Sequence, residues 1–230
     1  MRWFATIALA LLAGFSGAAL WELTGMGGNQ TREYLLEHPE VLTEAVEELN
    51  RREMVAAIEP LRGELEKPFP GAVLGNPNGT ITLVKFSDYA CGFCRQSHED
   101  VLALIADNPD LKVVLRDYPV LTEGSVDAAR MALAAAQQGK FAAFHDAMFA
   151  AGSPNDARIE AAANKAGVDL ARARAQIAAG AFEPQLQNNV FLAQSIGVNS
   201  TPSWVIGDRI LVGAQGAEKL ARAIADAREN

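Results

Sequence analysis

Residues 80–94 read Thr80-Ile81-Thr82-Leu83-Val84-Lys85-Phe86-Ser87-Asp88-Tyr89-Ala90-Cys91-Gly92-Phe93-Cys94. The first half is an almost continuous run of strand formers, as for a strand buried on both faces of a sheet. A short polar turn ends it. Two cysteines follow, separated by Gly92 and Phe93, and they are the only two in 230 residues. Beyond them Val101, Leu102 and Ile105 recur at helical spacing, which predicts a helix from the second cysteine to about Asp107. Cys-x-x-Cys at a strand-to-helix junction suits a thiol–disulfide redox site, and the same spacing is also half of a metal site.

The chemistry separates these readings. A thiolate, not a thiol, attacks a disulfide. Unpaired backbone N–H groups and the positive end of the helix dipole stabilise a thiolate at a helix N-terminus. Cys91 at the junction is therefore expected to attack, forming a mixed disulfide with substrate, and Cys94, about one turn on, to resolve it. Phe93 presents an apolar face between them. A purely structural disulfide is disfavoured, because so short a loop constrains little of the unfolded chain. Two thiolates can also hold Cu(I), which keeps copper binding as an alternative. A structural zinc needs about four ligands, and the remaining His38, His98 and His145 have no finger spacing, so no metal-ligand set is expected.

Outward from the motif, Ala72 to Leu74 reads as a short strand and Leu111 to Leu115 as the next long one, ending at Arg116-Asp117-Tyr118-Pro119. Helical patterns then dominate from Ser125 to Ile196, broken near Gly139, Gly152-Ser153-Pro154, Gly167 and Gly180. Ser203 to Ile206, the Gly207-Asp208 turn and Arg209 to Val212 form a hairpin, and Gly216 to Glu229 a closing amphipathic helix. The expected fold is α/β, a central mixed sheet interrupted by a helical insertion over about 123–198. The breaker cluster Lys67-Pro68-Phe69-Pro70-Gly71 marks a boundary, giving a domain over 70–229.

Residues 31–66 read as helical. Pro39 fits a first helical turn, and Val41, Leu42, Ala45, Val46 and Leu49 form one apolar face. This segment is expected to be an oligomerisation arm, with packing on its own domain as the alternative. Before it, Arg2 precedes an uncharged apolar run from Trp3 to Trp21. That is a signal peptide, or an uncleaved membrane anchor, over 1–21. Either places the rest of the chain in the periplasm or another extracytoplasmic space, where disulfides persist. The net charge of −8, with no basic stripe, excludes nucleic acid as a partner.

The junction Phe86-Ser87-Asp88-Tyr89-Ala90-Cys91-Gly92-Phe93-Cys94 resembles the active-site turn of the thioredoxin superfamily. Arg116 to Leu121, Gly139-Lys140-Phe141 with Phe144-His145-Asp146, and Gly197 to Gly207 are similar to its DsbA-like branch, which carries a helical domain inserted in the thioredoxin fold. The segment Tyr34 to Leu42 resembles the N-terminal helical extension of the ScsC-type subgroup. The resemblance implies a cis Thr201–Pro202 bond facing the cysteines, with the backbone of Thr201 pairing to substrate peptide. It implies that the Cys91–Cys94 disulfide carries the electrons, with no dissociable cofactor. It implies cysteine-containing exported proteins as substrates and a membrane redox partner. Gly92-Phe93 and Thr201 are similar to isomerase and reductase members, so that direction is favoured over a dithiol oxidase. Relatives hold an acid where this chain has Lys85. A buried Lys85 would lose its proton easily, a charged one would stabilise the thiolate and make the disulfide more oxidising, and an outward one would do nothing. His98, one turn beyond Cys94, and Asp88 are further candidates for tuning the thiols.

Overall fold

The structure, a computed structural model, describes Trp3, Ile7, Gly14, Ser16 and residues 26–229. Apart from those four residues, the apolar run over 1–21 lies outside the described residues. Among the described residues, no helix is long and apolar enough to cross a membrane. The chain divides into two compact units, Met1–Asn50 and Arg51–Asn230.

In the first unit α1, Met26–Glu37, ends at His38-Pro39, and α2 begins at Glu40 and runs to Ile58. Pro39 disfavours the helical conformation in the residue before it, which is why the two helices separate here. Tyr34, Leu36, Leu42, Val46 and Leu49 are all more than half exposed.

The second unit starts inside α2. Ile58 and Leu65 are fully buried, together with Val84, Phe86 and Val114 of the sheet. A 3-10 turn, Glu59–Leu61, and the one-turn helix α3, Arg62–Leu65, complete this approach. The segment expected as a separate arm over 31–66 thus divides at Arg51, because its C-terminal apolar residues are core of the second unit.

The sheet has strand order β1-β3-β2-β4-β5: β1 is Val73–Gly75, β2 Ile81–Ser87, β3 Leu111–Asp117, β4 Ser203–Ile206 and β5 Arg209–Val212. β2 and β3 are parallel; the other neighbours are antiparallel. β2 is central and separates two cores. Leu83 belongs to one, and Val84 and Phe86 to the other. Strand alternation therefore puts Lys85 and Ser87 on the face of Leu83, toward α4, Gly92–Asp107. Gly207, at φ 52°, allows the tight turn joining β4 to β5.

Between β3 and β4 run α5, Glu123–Ala136, α6, Phe141–Ala151, α7, Asp156–Ala166, α8, Leu170–Ala178, and α9, Glu183–Ser195. Thr122, Asn155 and Asp169 cap α5, α7 and α8 through their side-chain oxygens. Ala132, Ala134, Ala135 and Ala136 are all buried, and their small side chains let α5 lie close to its neighbours. The closing helix α10 is Gly216–Glu229.

Candidate active site

The end of β2 delivers the chain to the N-terminus of α4. Cys91 is the N-cap residue, with extended backbone, and its sulfur accepts the Cys94 N–H at 3.4 Å. The cap satisfies one of the donors a helix start leaves unpaired. A Cβ at Gly92 would meet nothing within 4 Å, so the space beside Cys91 is open. Phe93 is 64% exposed, whereas Cys91 is 7% and Cys94 0% exposed. Both cysteines are free thiols. Both cysteines are buried, but the pair is asymmetric: Cys91 keeps a small exposed area and Cys94 has none. Burial pushes the Cys94 thiol up to about 11, opposed by the Asp88 backbone, the Ser87 hydroxyl and the charge of Lys85.

Thr201 and Pro202 complete the site. Their peptide bond is cis, as the family resemblance implies. Ser203 opens β4 and pairs with Phe86 on β2, so the residues just before it lie over the end of β2. There the Cys91 thiol donates to the Thr201 carbonyl oxygen at 3.3 Å. Residues 110 apart in sequence are brought into contact by one antiparallel strand pair.

Asp88 is buried, and its carboxylate accepts three backbone N–H groups: Ala90 at 2.8 Å, Val120 at 2.9 Å and Leu121 at 3.0 Å. This fastens the exposed apolar residues Val120 and Leu121 beside the turn leading to Cys91. Asp88 is engaged with backbone on both sides of the turn.

Lys85 points inward and is fully buried. Its Nζ donates to the Cys94 carbonyl oxygen at 3.3 Å and lies 5.0 Å from the Trp204 ring and 5.8 Å from the Phe149 ring. Burial lowers its pKa to about 8, opposed by the nearby Cys94, Asp100 and Cys91. The outward alternative for Lys85 is therefore not what the fold adopts, because Lys85 shares the face of Leu83 under α4.

His98 turns to α6. Its Nε2 pairs with Asp146 Oδ1 at 2.8 Å, and its ring stands 4.9 Å from that of His145. Burial pulls its pKa below the ordinary histidine value, opposed by Asp146. Among the described residues it makes no hydrogen bond to either cysteine. His145 packs among Tyr89, Phe141 and Phe149 and shares a 2.8 Å hydrogen bond with the Tyr89 hydroxyl.

Sequence reasoning passed over Asp117 and Ser87. They are register partners at the ends of β3 and β2. Both are almost fully buried; among the described residues Asp117 Oδ1 has no hydrogen-bond partner and Ser87 Oγ none beyond the Cys94 thiol. Burial, aided by the charge of Asp88, raises the Asp117 carboxyl to about 8. The one signal available was the polar pair Arg116-Asp117 closing an apolar strand.

Comparison with known proteins places this geometry. Residues 69–226 match the family model described as thioredoxin, and residues 31–54 match the N-terminal domain of the copper resistance protein ScsC. A thioredoxin-like oxidoreductase from Silicibacter pomeroyi is 38% identical over 69% of this chain and 92% of its own, with a TM-score of 0.66. The thiol-disulfide exchange protein alpha-DsbA2 of Wolbachia pipientis is 27% identical over 77% of this chain and 97% of its own, with a TM-score of 0.71. A linker-deletion variant of Proteus mirabilis ScsC is 25% identical over 86% of this chain and 92% of its own, with a TM-score of 0.67. The Na(+)/H(+) antiporter NhaA 1 of Salinispora arenicola is 28% identical over 158 residues, 67% of this chain, and the chain spans only 24% of that antiporter's length. The chain belongs to the thioredoxin family, among relatives of the DsbA and ScsC type.

Proposed function

We propose that the protein is an exported thiol–disulfide oxidoreductase acting on cysteine-containing proteins. The observation that carries this reading is the Cys91–Cys94 asymmetry beside Thr201: Cys91 slightly exposed at the N-cap, Cys94 wholly buried, and a peptide carbonyl 3.3 Å from the first sulfur. Cys91 attacks a substrate disulfide and forms a mixed disulfide, releasing one substrate thiolate. Cys94 attacks Cys91, releasing the second substrate thiolate and leaving the Cys91–Cys94 disulfide. Two electrons pass to the substrate, and the reverse sequence oxidises a dithiol. The cysteine pair is itself the carrier, so no further cofactor is needed, and a membrane redox protein resets it. Extended substrate lies along Thr201 and Pro202, with Phe93, Val120 and Leu121 giving the rim its apolar character.

Gly92-Phe93 and Thr201 support isomerase or reductase use over net oxidation. The exposed apolar residues of the first unit support self-association through 31–66, with the contacts drawn from its 31–50 part. The Arg2-led apolar run supports export, with cleavage or anchoring of residues 3–21.

Recovery of a scrambled disulfide protein by the full chain, set against Cys91→Ala, tests this reading. Recovery by the unaltered chain alone is expected, and equal rates for both would sink it. Cys94→Ala should accumulate a mixed disulfide on Cys91. Equilibration with glutathione sets direction: a potential far above about −200 mV would favour the oxidase instead.

A further inference from the structure

We propose that the Lys85 amine, rather than a carboxylate, takes and returns the proton of the resolving thiol Cys94. This rests on the exchange reading above, in which Cys94 must become a thiolate to attack Cys91. Burial holds that proton on the sulfur, so a nearby acceptor is required.

Lys85 and Ser87 are alternate residues of β2 and face α4 together. Lys85 Nζ donates to the Cys94 backbone carbonyl at 3.3 Å, which holds the amine beside that residue, and its charge acts on the thiol. Ser87 Oγ has no other partner and can turn its hydroxyl to the sulfur. No carboxylate hydrogen-bonds to Lys85 among the described residues. Its surroundings are otherwise aromatic, Trp204 from β4 and Phe149 from α6.

The charged and titratable groups near Lys85 are few. From α4 and its N-cap come Cys91, Cys94 and Asp100, and also His98, which feels the lysine charge. From α6 comes His145, which feels it as well. The buried residues of α10, Leu220, Ala223 and Ile224, contribute none. Asp117, the buried acid of β3, acts on Tyr89 but not on Cys94.

The proton balance explains why an amine works here. With a neutral Lys85, transfer converts amine and thiol into ammonium and thiolate, so the pair keeps zero net charge. A carboxylate acceptor would hold one negative charge throughout in the same apolar pocket. In resolution, Cys94 attacks the Cys91 sulfur of the mixed disulfide, the Cys91–substrate bond breaks, and the substrate leaves as thiolate. The proton stays on Lys85 and passes to the departing thiolate or to water. The reverse reaction returns it to Cys94. The active pair carries one proton fewer than ammonium plus thiol, so resolution slows tenfold per pH unit below the pair's midpoint and levels off above it.

The test uses the full chain and glutathione disulfide. Release of the first glutathione reports attack by Cys91, and release of the second reports resolution. In the unaltered protein the second step should show an inflection near about pH 8. Lys85→Met should slow it by about tenfold or more at neutral pH and abolish the inflection, since the thiolate fraction drops further than its nucleophilicity rises. The first step should change far less. Lys85→Glu should restore much of the second step, as a proton acceptor of opposite charge. A Met variant with the original profile, or a Glu variant as slow as Met, would overturn the proposal. Asp117→Asn should keep the inflection, and its loss there would assign the role to Asp117 instead. The Lys85 side-chain carbon resonance in the unaltered dithiol gives a readout that needs no Lys85 variant. It should titrate near the same pH and shift when Cys94 is replaced by Ser. A lysine still charged well above that pH would overturn the proposal. If the unaltered protein fails to react with glutathione disulfide, the exchange reading fails, while the resonance still decides whether Lys85 and Cys94 share a proton.

Discussion

Asp117 holds its proton where a surface aspartate has long lost it. Burial and the charge of Asp88 raise the carboxyl from the usual 3.8 to about 8. Between those values the folded protein binds a proton that the unfolded chain has released. Stability then falls as pH rises, by about 1.4 kcal/mol per unit for this group alone. Below the unfolded value the group contributes no difference, and above the folded value the loss is complete. Asp117→Asn keeps the shape and removes the titration. The variant should match the unaltered protein near about pH 4 and exceed it by a few kcal/mol near about pH 7.5, in urea unfolding at the two values. Equal stability of the two at the higher pH would show that the buried carboxyl carries no such penalty.

The elements around the site differ in how far the sequence discloses them. β2 and α4 are legible because strand-forming residues and helical spacing are local, and the cysteines mark the junction. The β4–β5 hairpin is legible for the same reason. The burial of Lys85, Asp88, Arg116 and Asp117 is not, because it depends on which element covers each residue, and local pattern carries no such information. The cis bond at Pro202 was accessible through resemblance alone. Arg116 shows what lay hidden. It is 2% exposed and, among the described residues, has no carboxylate hydrogen-bond partner. Its guanidinium instead gathers carbonyl oxygens at and just beyond the end of α3: Leu65 at 3.2 Å, Lys67 at 2.6 Å and Glu64 beside them. Nη1 also donates to Asn189 Oδ1 at 3.0 Å, and so joins α9 to the same knot. A planar fork with five donors suits such a cluster, and an ammonium does not. Arg116→Lys should therefore cost about 2–3 kcal/mol, read as a lower urea midpoint with unchanged slope. Hydrogen exchange at residues 62–67 should quicken in the same variant.

At the scale of the molecule, the chain's folding boundary and its sequence boundary differ. The breaker cluster Lys67 to Gly71 stands where composition changes, but the compact second unit begins at Arg51. The helical pattern from Val41 to Leu65 is continuous, so periodicity alone does not show that, among the described residues, only its second half joins a core. Ile58 and Leu65, fully buried against the sheet, decide it. A chain beginning at Arg51 should retain the second unit's stability, because every core contact of that unit survives. A chain beginning at Lys67 would lack both apolar side chains, each worth about 2–5 kcal/mol when truncated in a core. It would also strip Arg116 of the Glu64 and Leu65 carbonyls, leaving a buried charge under-satisfied, at a further cost of about 3 kcal/mol. That sum is comparable to the whole stability of a typical domain, about 5–15 kcal/mol, so this shorter chain should be largely unfolded at room temperature by circular dichroism. Light scattering separates folding from assembly. If self-association runs through the exposed Tyr34, Leu36, Leu42, Val46 and Leu49, the chain from Arg51 should be a folded monomer that keeps its reaction with glutathione disulfide. An unchanged oligomer in that chain would move the interface out of residues 31–50.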